Sequence, residues 1–248
     1  EAQWRTAESC RLDYWPDEAH GEASEKRLAH LRDAATLLNT FDPVEKMSPL
    51  IAGGLYTLAR YQHEGRETLL PTFEDWVDLA PSNPRIYAAH APHLLQADTP
   101  TAAFDALMAE AERAMDRTEE TLGQGGFALC VVPALAEDPE LREIIPADRL
   151  AGGLIALART SATQAEVNIV VSELANEMRY GTSARKAVMQ SAFDAVVQHD
   201  LTVIYPRLWM IELDDIRDLM STTFKRLGSP LPIIGRLYAP ISRPAFTG

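Results

Sequence analysis

The feature that most constrains this sequence is a repeated helix-start signal, in which a short polar residue is followed directly by proline. Proline suits the first position of an α-helix because its missing N–H would have no partner there, and the polar side chain before it can cap the helix. The signal occurs at Asp42-Pro43, Ser48-Pro49, Asn83-Pro84, Thr99-Pro100 and Asp138-Pro139. Asp42 with Glu45 and Thr163 with Glu166 add the spacing of a capping box. These signals predict a chain built from many helices.

Apolar residues recur at intervals of three and four, which predicts helices with one buried face. The predicted faces are Leu28, Leu31, Ala35 and Leu38; Phe104, Met108, Ala111, Met115, Thr118 and Leu122; Val167, Val171, Leu174 and Met178; and Trp209, Leu213, Ile216, Met220, Phe224 and Leu227. Period-two alternation, the strand pattern, is missing. Segment 127–136 is apolar all round and fits a buried helix or a short extended piece, although Pro133 argues against a central strand. We predict an all-α fold of nine to eleven helices.

Glycines follow several of the periodic segments, where a left-handed residue commonly ends a helix. They are Gly65, Gly123, Gly181 and Gly228. The glycine-rich run 123–126 lacks the strand and the Lys-Ser/Thr of a phosphate loop. We therefore expect that run to end one helix and begin a buried one.

Two short motifs recur along the chain. Residues 51–60 (IAGGLYTLAR) match 150–159 (LAGGLIALAR), and Ala-Phe-Asp-Ala occurs at 103–106 and again at 192–195. Adjacent glycines in a helix let a neighbouring helix approach closely. One interpretation is an internal duplication, at about 43–122 and 142–205, that stacks two helical units as in a solenoid. The other is chance matching among common residues.

Segment 76–95 (WVDLAPSNPRIYAAHAPHLL) resembles the junction between tetratricopeptide-type repeats. There a helix ends at a proline, an Asn-Pro turn follows, and the next helix brings an aromatic and small residues inward; Pro81, Asn83, Pro84, Tyr87 and Ala88 occupy these roles. The likeness covers about twenty residues, and no 34-residue period recurs. It implies an antiparallel array of helix pairs that binds peptides or proteins in a groove, without catalysis. An irregular helical bundle with no repeat ancestry stays open as the alternative.

Charge and composition exclude several classes of protein. The chain has 36 acidic and 23 basic residues, a formal charge of −13, so we expect no nucleic-acid partner. No apolar run is long enough for a membrane helix, and we expect no membrane insertion. The only cysteines, Cys10 and Cys130, are compatible with a reducing compartment, and we expect a cytoplasmic location. The chain begins at Glu1 without a basic-then-apolar leader, so we expect any targeting segment to be trimmed or never present.

The sharpest catalytic candidate is the D-D-x-x-D cluster Asp214, Asp215 and Asp218. Residues four apart share a helix face, and this form is similar to the aspartate-rich motif of class I isoprenoid synthases, which implies Mg²⁺ holding a diphosphate on an all-α fold. A second acidic cluster contains Asp75 and Asp78. Against this alternative, Asp214 and Asp218 lie about 160° from Ile216 at 100° per residue, away from the expected core. We interpret both clusters as solvated surface.

The remaining reactive residue types form no convincing set. His90 and His93 are three apart but separated by Pro92, His199-Asp200 lacks supporting ligands, and Cys130 lies in an apolar run where a thiol is inert. We therefore predict no metal and no cofactor.

The C-terminal arm, residues 230–248, has the most unusual composition. From Leu219 onward there is no acidic residue and the formal charge is +4, which leaves −17 on the rest. Prolines at 230, 232, 240 and 244 keep the arm extended or turned. Its candidate binding residues are Leu231, Ile233, Ile234 and Tyr238. We expect the arm to close the end of the core of its own chain; the alternatives are an arm that binds a partner or is exchanged between subunits, and a flexible end.

Together these features predict one all-α domain, 1–229, followed by the arm; if the duplication is real, the domain consists of two half-units. The expected function is a non-catalytic scaffold or protein-interaction module that binds a protein or peptide, with a homo-oligomer as an open alternative. The rival is the Mg²⁺-dependent enzyme.

Overall fold

The structure is a computed structural model that describes residues 20–61, 66–209 and 213–228. This part of the chain contains ten α-helices and two 3₁₀ helices and no strand, which confirms the predicted all-α class. The α-helices are α1 (His20–Leu38), α2 (Pro49–Tyr61), α3 (Arg66–Leu79), α4 (Pro84–Leu94), α5 (Pro100–Arg117), α6 (Gly125–Glu137), α7 (Ala147–Thr160), α8 (Gln164–Tyr180), α9 (Ser183–His199) and α10 (Leu213–Leu227). The 3₁₀ helices are Pro139–Glu143 and Pro206–Leu208.

Most of the predicted start signals begin a helix. Ser48, Asn83 and Thr99 stand directly before α2, α4 and α5, and the Thr99 hydroxyl accepts a hydrogen bond from the Ala102 N–H at 3.2 Å. Thr163 and Glu166 form both bonds of the predicted capping box at the start of α8. Capping chemistry is local, so these starts follow from the sequence alone.

Two of the predicted start signals do not begin an α-helix. Asp42-Pro43 begins only a turn, in which the Asp42 carboxylate accepts the N–H groups of Val44 and Glu45. The turn does not extend because Pro49 follows too soon and disfavours helical geometry at Ser48. Asp138-Pro139 opens a 3₁₀ helix rather than an α-helix.

The predicted left-handed glycine is found at two positions, but only Gly228 directly follows a helix, because α5 ends at Arg117 with Thr118 as its C-cap. Gly123 and Gly228 have φ of 52° and 65°, in the left-handed region. Gly181 has φ −75°, so the left-handed prediction is wrong there: α8 passes to α9 through extended backbone. Gly65 lies outside the described residues.

The chain divides into two compact units, residues 1–86 and 87–248, with the division inside α4. In the first unit α2 packs against α1 and α3. Leu31, Ala34 and Leu58 form one buried cluster. Tyr56 is fully buried with its ring 5.5 Å from that of Trp76.

In the second unit each helix from α5 to α9 packs against the next, and α7 also packs against α9. Only two or three residues join α7 to α8 and α8 to α9, so these helices form antiparallel hairpins. Of the two structures predicted for segment 127–136, a buried helix or a short extended piece, the buried helix is correct. The segment lies within α6, of which nine residues are buried.

The buried face of α5 differs from the predicted stripe by about one residue. Its buried residues are Ala103, Leu107, Glu110, Ala111 and Ala114. Phe104, Met108 and Met115 are only half-buried. The small residues at 103, 111 and 114 allow the packing partner closer than the bulky ones would. Ala111 and Thr118 are buried as predicted; those three bulky residues of the stripe are not, because the prediction followed residue size rather than closeness of packing.

The two Ala-Gly-Gly-Leu motifs lie in α2 and α7, and both make close helix contacts. A Cβ on Gly53 would lie 2.8 Å from the Trp76 ring, and one on Gly153 would lie 2.9 Å from the Gln124 backbone oxygen. The expected close approach is therefore present at both sites. The duplication itself stays a prediction, as does the single 1–229 domain, and the C-terminal arm lies outside the described residues.

Candidate functional site

A groove of about 1090 Å³ opens on the second unit and is the candidate functional site. It lies among the C-terminal half of α6, the first 3₁₀ helix, and parts of α4, α7 and α8. We call it the acidic groove; its lining is Ala88, Val132, Pro133, Leu135, Ala136, Glu137, Pro139, Glu140, Arg142, Glu143, Leu150, Leu154, Glu173, Asn176, Glu177 and Tyr180. Its volume slightly exceeds the usual range for ligand pockets, roughly 300–1,000 Å³.

Helices α6 and α7 supply the apolar floor. Leu150 and Leu154 are one turn apart on α7, so they present side chains to the same side. Val132 and Pro133 on α6 stay half-buried rather than buried. Leu150 and Leu154 are fully buried, so the apolar surface that an incoming side chain can cover comes from Val132 and Pro133.

Carboxylates dominate the rim of the acidic groove. Five of its lining residues are glutamates and one, Arg142, is basic. Glu137, Glu140 and Glu143 are exposed, and within the described part of the chain no cation forms an ion pair with them. The rim therefore offers negative charge to a ligand.

Glu177 anchors the wall of the groove through a buried ion cluster. Its carboxylate accepts hydrogen bonds from Nε of Arg142 and from Nε of Arg185, each at 2.7 Å. Arg185 in turn donates to the backbone oxygens of Arg142 and Ile145. One carboxylate thus joins the 3₁₀ helix, α8 and α9. Because Glu177 is saturated by arginines, its charge is not available to a ligand.

Glu173 lies one turn before Glu177 on α8 and has a different environment. Burial raises the pKa of its carboxyl, and the neighbouring Glu177 charge acts in the same direction. A hydrogen bond from Asn176 and the charge of Arg142 oppose these effects only in part. A cation placed beside Glu173 would therefore favour its charged form.

The other end of α8 is held by Asn168, which is fully buried. Its amide nitrogen donates to the backbone oxygens of Gln164 and Val203, and its oxygen accepts from the Tyr205 N–H and from Nε1 of Trp209. All of its hydrogen-bonding capacity is used. The interaction fixes segment 201–209 against α8, which makes α8 a rigid wall for the groove.

The predicted acidic clusters lie elsewhere. Asp214, Asp215 and Asp218 are exposed at the start of α10, and Asp214 pairs with Arg217 at 2.9 Å. Ile216, on the opposite side of that helix, is buried. Asp75 is half-buried and Asp78 is exposed, and both belong to α3 in the first unit. Across residues 20–61, 66–209 and 213–228 no three His, Cys, Asp or Glu side chains form a group able to hold a metal.

The other reactive candidates are spread across the molecule. The rings of His90 and His93 lie 6.1 Å apart on α4, where Pro92 is inside the helix, and His199 is exposed at the end of α9. Cys130 is buried in α6, and burial raises the pKa of its thiol. A neutral, enclosed thiol is a poor nucleophile.

Sequence reasoning missed the buried charges. Glu177 lies three residues after Leu174, on the same face as that buried leucine, and Glu110 has the same relation to Leu107. Glu110 accepts hydrogen bonds from Arg113 and Arg117, three and seven residues later. A carboxylate on an apolar helix face is the signal that could have indicated a buried ion pair.

Comparisons of the chain with protein-family models, curated proteins and solved structures found no match. The array of packed helices is compatible with a helical repeat, and the tetratricopeptide likeness of 76–95 stays a resemblance. In that segment Tyr87 is buried as predicted, whereas Ala88 is exposed to the groove rather than packed inward. None of the helices in the described ranges has both the length and the apolar character needed to span a membrane.

Proposed function

We propose that the protein is a non-catalytic helical interaction module whose acidic groove binds a basic, apolar segment of another protein. The observation that supports this is the combination of partly exposed apolar lining with three exposed glutamates, Glu137, Glu140 and Glu143, that form no ion pair within the described residues. Apolar side chains of the partner would cover the half-buried Val132 and Pro133, and its lysines or arginines would pair with Glu140 and Glu143. The two cysteines in 248 residues suit a cytoplasmic setting for this module.

The rigidity of the groove wall favours binding over large conformational change. Glu177 joins three elements, and Asn168 fixes the far end of α8. A preformed groove loses little conformational entropy when its ligand binds, so more of the contact energy appears as affinity.

The test uses the full chain and a short fluorescein-labelled peptide of alternating leucine and lysine, with fluorescence anisotropy as the readout. We expect saturable binding that weakens as salt concentration rises, because exposed charge pairs are screened. A leucine–glutamate peptide serves as the opposite-charge control and should not bind.

A matched pair of variants locates the binding site. Glu140→Lys with Glu143→Lys reverses two rim charges, and Glu119→Lys with Glu120→Lys reverses two exposed charges between α5 and α6. Both variants change the net charge equally. We expect the first to weaken binding about tenfold, from two lost pairs of ~0.7 kcal/mol each, and the second to have little effect. Equal losses in both variants would contradict groove binding.

A further inference from the structure

We propose that the C-terminal arm of the same chain, residues 230–248, occupies the acidic groove when no partner is bound. The inference rests on the proposed function, because it concerns what competes for the same groove. It adds a regulatory role: the arm would lower the apparent affinity for outside partners.

Charge complementarity is the first support. Residues 219–248 contain no Asp or Glu, and the arm itself carries Arg236 and Arg243. The rim opposite would be Glu137, Glu140 and Glu143, which no described cation pairs. The arm and the rim therefore carry opposite charges.

Apolar content is the second support. Leu231, Ile233, Ile234 and Tyr238 alternate with prolines and arginine in the arm. Proline disfavours helix, so the arm would present these side chains from extended backbone. The half-buried Val132 and Pro133 and the exposed Tyr180 of the groove provide apolar surface for them to cover.

The point where the arm begins is within reach of the groove. Arg226, near the end of α10, pairs with Asp194 on α9. Arg185 lies nine residues earlier on α9 and contacts Glu177 in the groove wall, a separation of roughly 14 Å along the helix. The twenty residues after Gly228 span up to roughly 66 Å when extended. The arm is therefore long enough to cross the groove.

Site-specific photocrosslinking in the full chain tests the placement directly. Tyr238 is replaced by p-benzoylphenylalanine, and crosslinked peptides are mapped by mass spectrometry after irradiation of dilute monomer. We expect intrachain crosslinks to residues of the acidic groove, on 132–143, 150–154 or 173–180. Crosslinks that map mainly to other surfaces, or only between chains, would overturn the proposal.

A charge swap provides the control for specificity. Arg236→Glu with Arg243→Glu should reduce the yield of groove crosslinks about fivefold, from two lost pairs of ~0.5 kcal/mol each. Glu140→Lys with Glu143→Lys should reduce it similarly, and the combination of all four substitutions should restore it. If the chain with all four substitutions shows no recovery of the groove crosslinks, pairing between the arm and the rim is contradicted.

The leucine–lysine peptide separates this proposal from the proposed function. We expect the peptide to bind the Arg236→Glu/Arg243→Glu chain more tightly than the wild-type chain, because the competing arm is weakened. If the peptide binds neither chain while the groove crosslinks form, the arm placement stands and partner binding fails. If the peptide binds both chains equally and no groove crosslinks form, the arm placement fails and partner binding stands.

Discussion

Oε2 of Glu177 lies 2.7 Å from Nε of Arg185, and both side chains are about 95% buried. This pair connects α8 to α9 at the wall of the acidic groove, and Arg142 occupies the other carboxylate oxygen. Desolvation of a buried ion pair offsets much of its attraction, so the pair is weak evidence of net stabilisation. Its loss is costly for another reason: a buried arginine would remain without a counter-charge.

We expect Glu177→Gln to lower the free energy of unfolding by about 3 kcal/mol, because Arg185 would stay buried and uncompensated. Chemical denaturation followed by circular dichroism measures the change. Glu112 provides the matched control, since it also pairs with an arginine, Arg149 at 2.6 Å, but at an exposed site. Glu112→Gln should cost less than about 1 kcal/mol. Similar costs for the two variants would show that burial of the pair has no special effect.

The Gly152-Gly153 pair in α7 predicts opposite effects of the same substitution at adjacent positions. A Cβ on Gly153 would lie 2.9 Å from the Gln124 backbone oxygen and 3.0 Å from the Ala128 Cβ, which cannot easily move. We expect Gly153→Ala to destabilise the protein by about 1 kcal/mol or more through overpacking.

A Cβ on Gly152 would meet only the end of the Gln124 side chain, at 2.7 Å, which can rotate away. Alanine is also the better helix former, by roughly 0.5–1 kcal/mol. Gly152→Ala should therefore be neutral or stabilising in a thermal melt. Equal destabilisation by both substitutions would contradict close helix packing specifically at Gly153.

Local chemistry and tertiary packing differ in how well the sequence predicts them. The helix starts at Thr99 and Thr163 depend on atoms within four residues, so their caps are visible in the sequence. The acidic groove depends on Glu140 and Glu173, which are 33 positions apart and come together only because α6, α7 and α8 pack. The same holds for Glu177, whose partners Arg142 and Arg185 come from different elements.

The all-α class was predictable because it needs only the period of the apolar residues. The buried face of α5 was not, because choosing Ala103 and Leu107 over Phe104 and Met108 requires knowing how closely α6 packs. Asp42 shows that a local signal can also predict too much: its carboxylate caps the backbone as expected, but only a turn follows, not a helix. A local start signal extends to a helix only when the next residues have a surface to pack against and no proline soon after.

The raised pKa of Glu173 predicts how one substitution changes stability with pH. Burial is the main cause, and Glu177 adds to it while Asn176 and Arg142 oppose it. Below the ordinary value of 4.5 the carboxyl is protonated in both folded and unfolded chains, so its ionisation has no effect on stability. As pH rises above that value the unfolded chain ionises first, which favours unfolding.

We therefore expect Glu173→Gln to have a melting temperature close to the wild type at pH 4 and above it at pH 7, with the difference growing between. Differential scanning calorimetry across this range measures it. Glu143→Gln removes the same charge from an exposed rim position and should show no such growth. If the melting temperature of Glu173→Gln exceeds that of the wild type by less as pH rises, the result would contradict a carboxyl whose charged form is disfavoured by burial.

The exposed aspartates of α10 give the last prediction, which tests the rival enzyme hypothesis. Asp214 is 88% exposed and paired with Arg217, and Asp215 and Asp218 are also exposed. Carboxylates in bulk water bind Mg²⁺ weakly, because the ion keeps its own hydration shell. We expect Mg²⁺ with pyrophosphate to leave the melting temperature unchanged, whereas a ligand at a hundred times its dissociation constant would stabilise the fold by about 2.7 kcal/mol, a shift of several degrees. Asp214→Ala is the control. A rise of that size in the wild type that disappears in Asp214→Ala would favour a diphosphate enzyme over an interaction module.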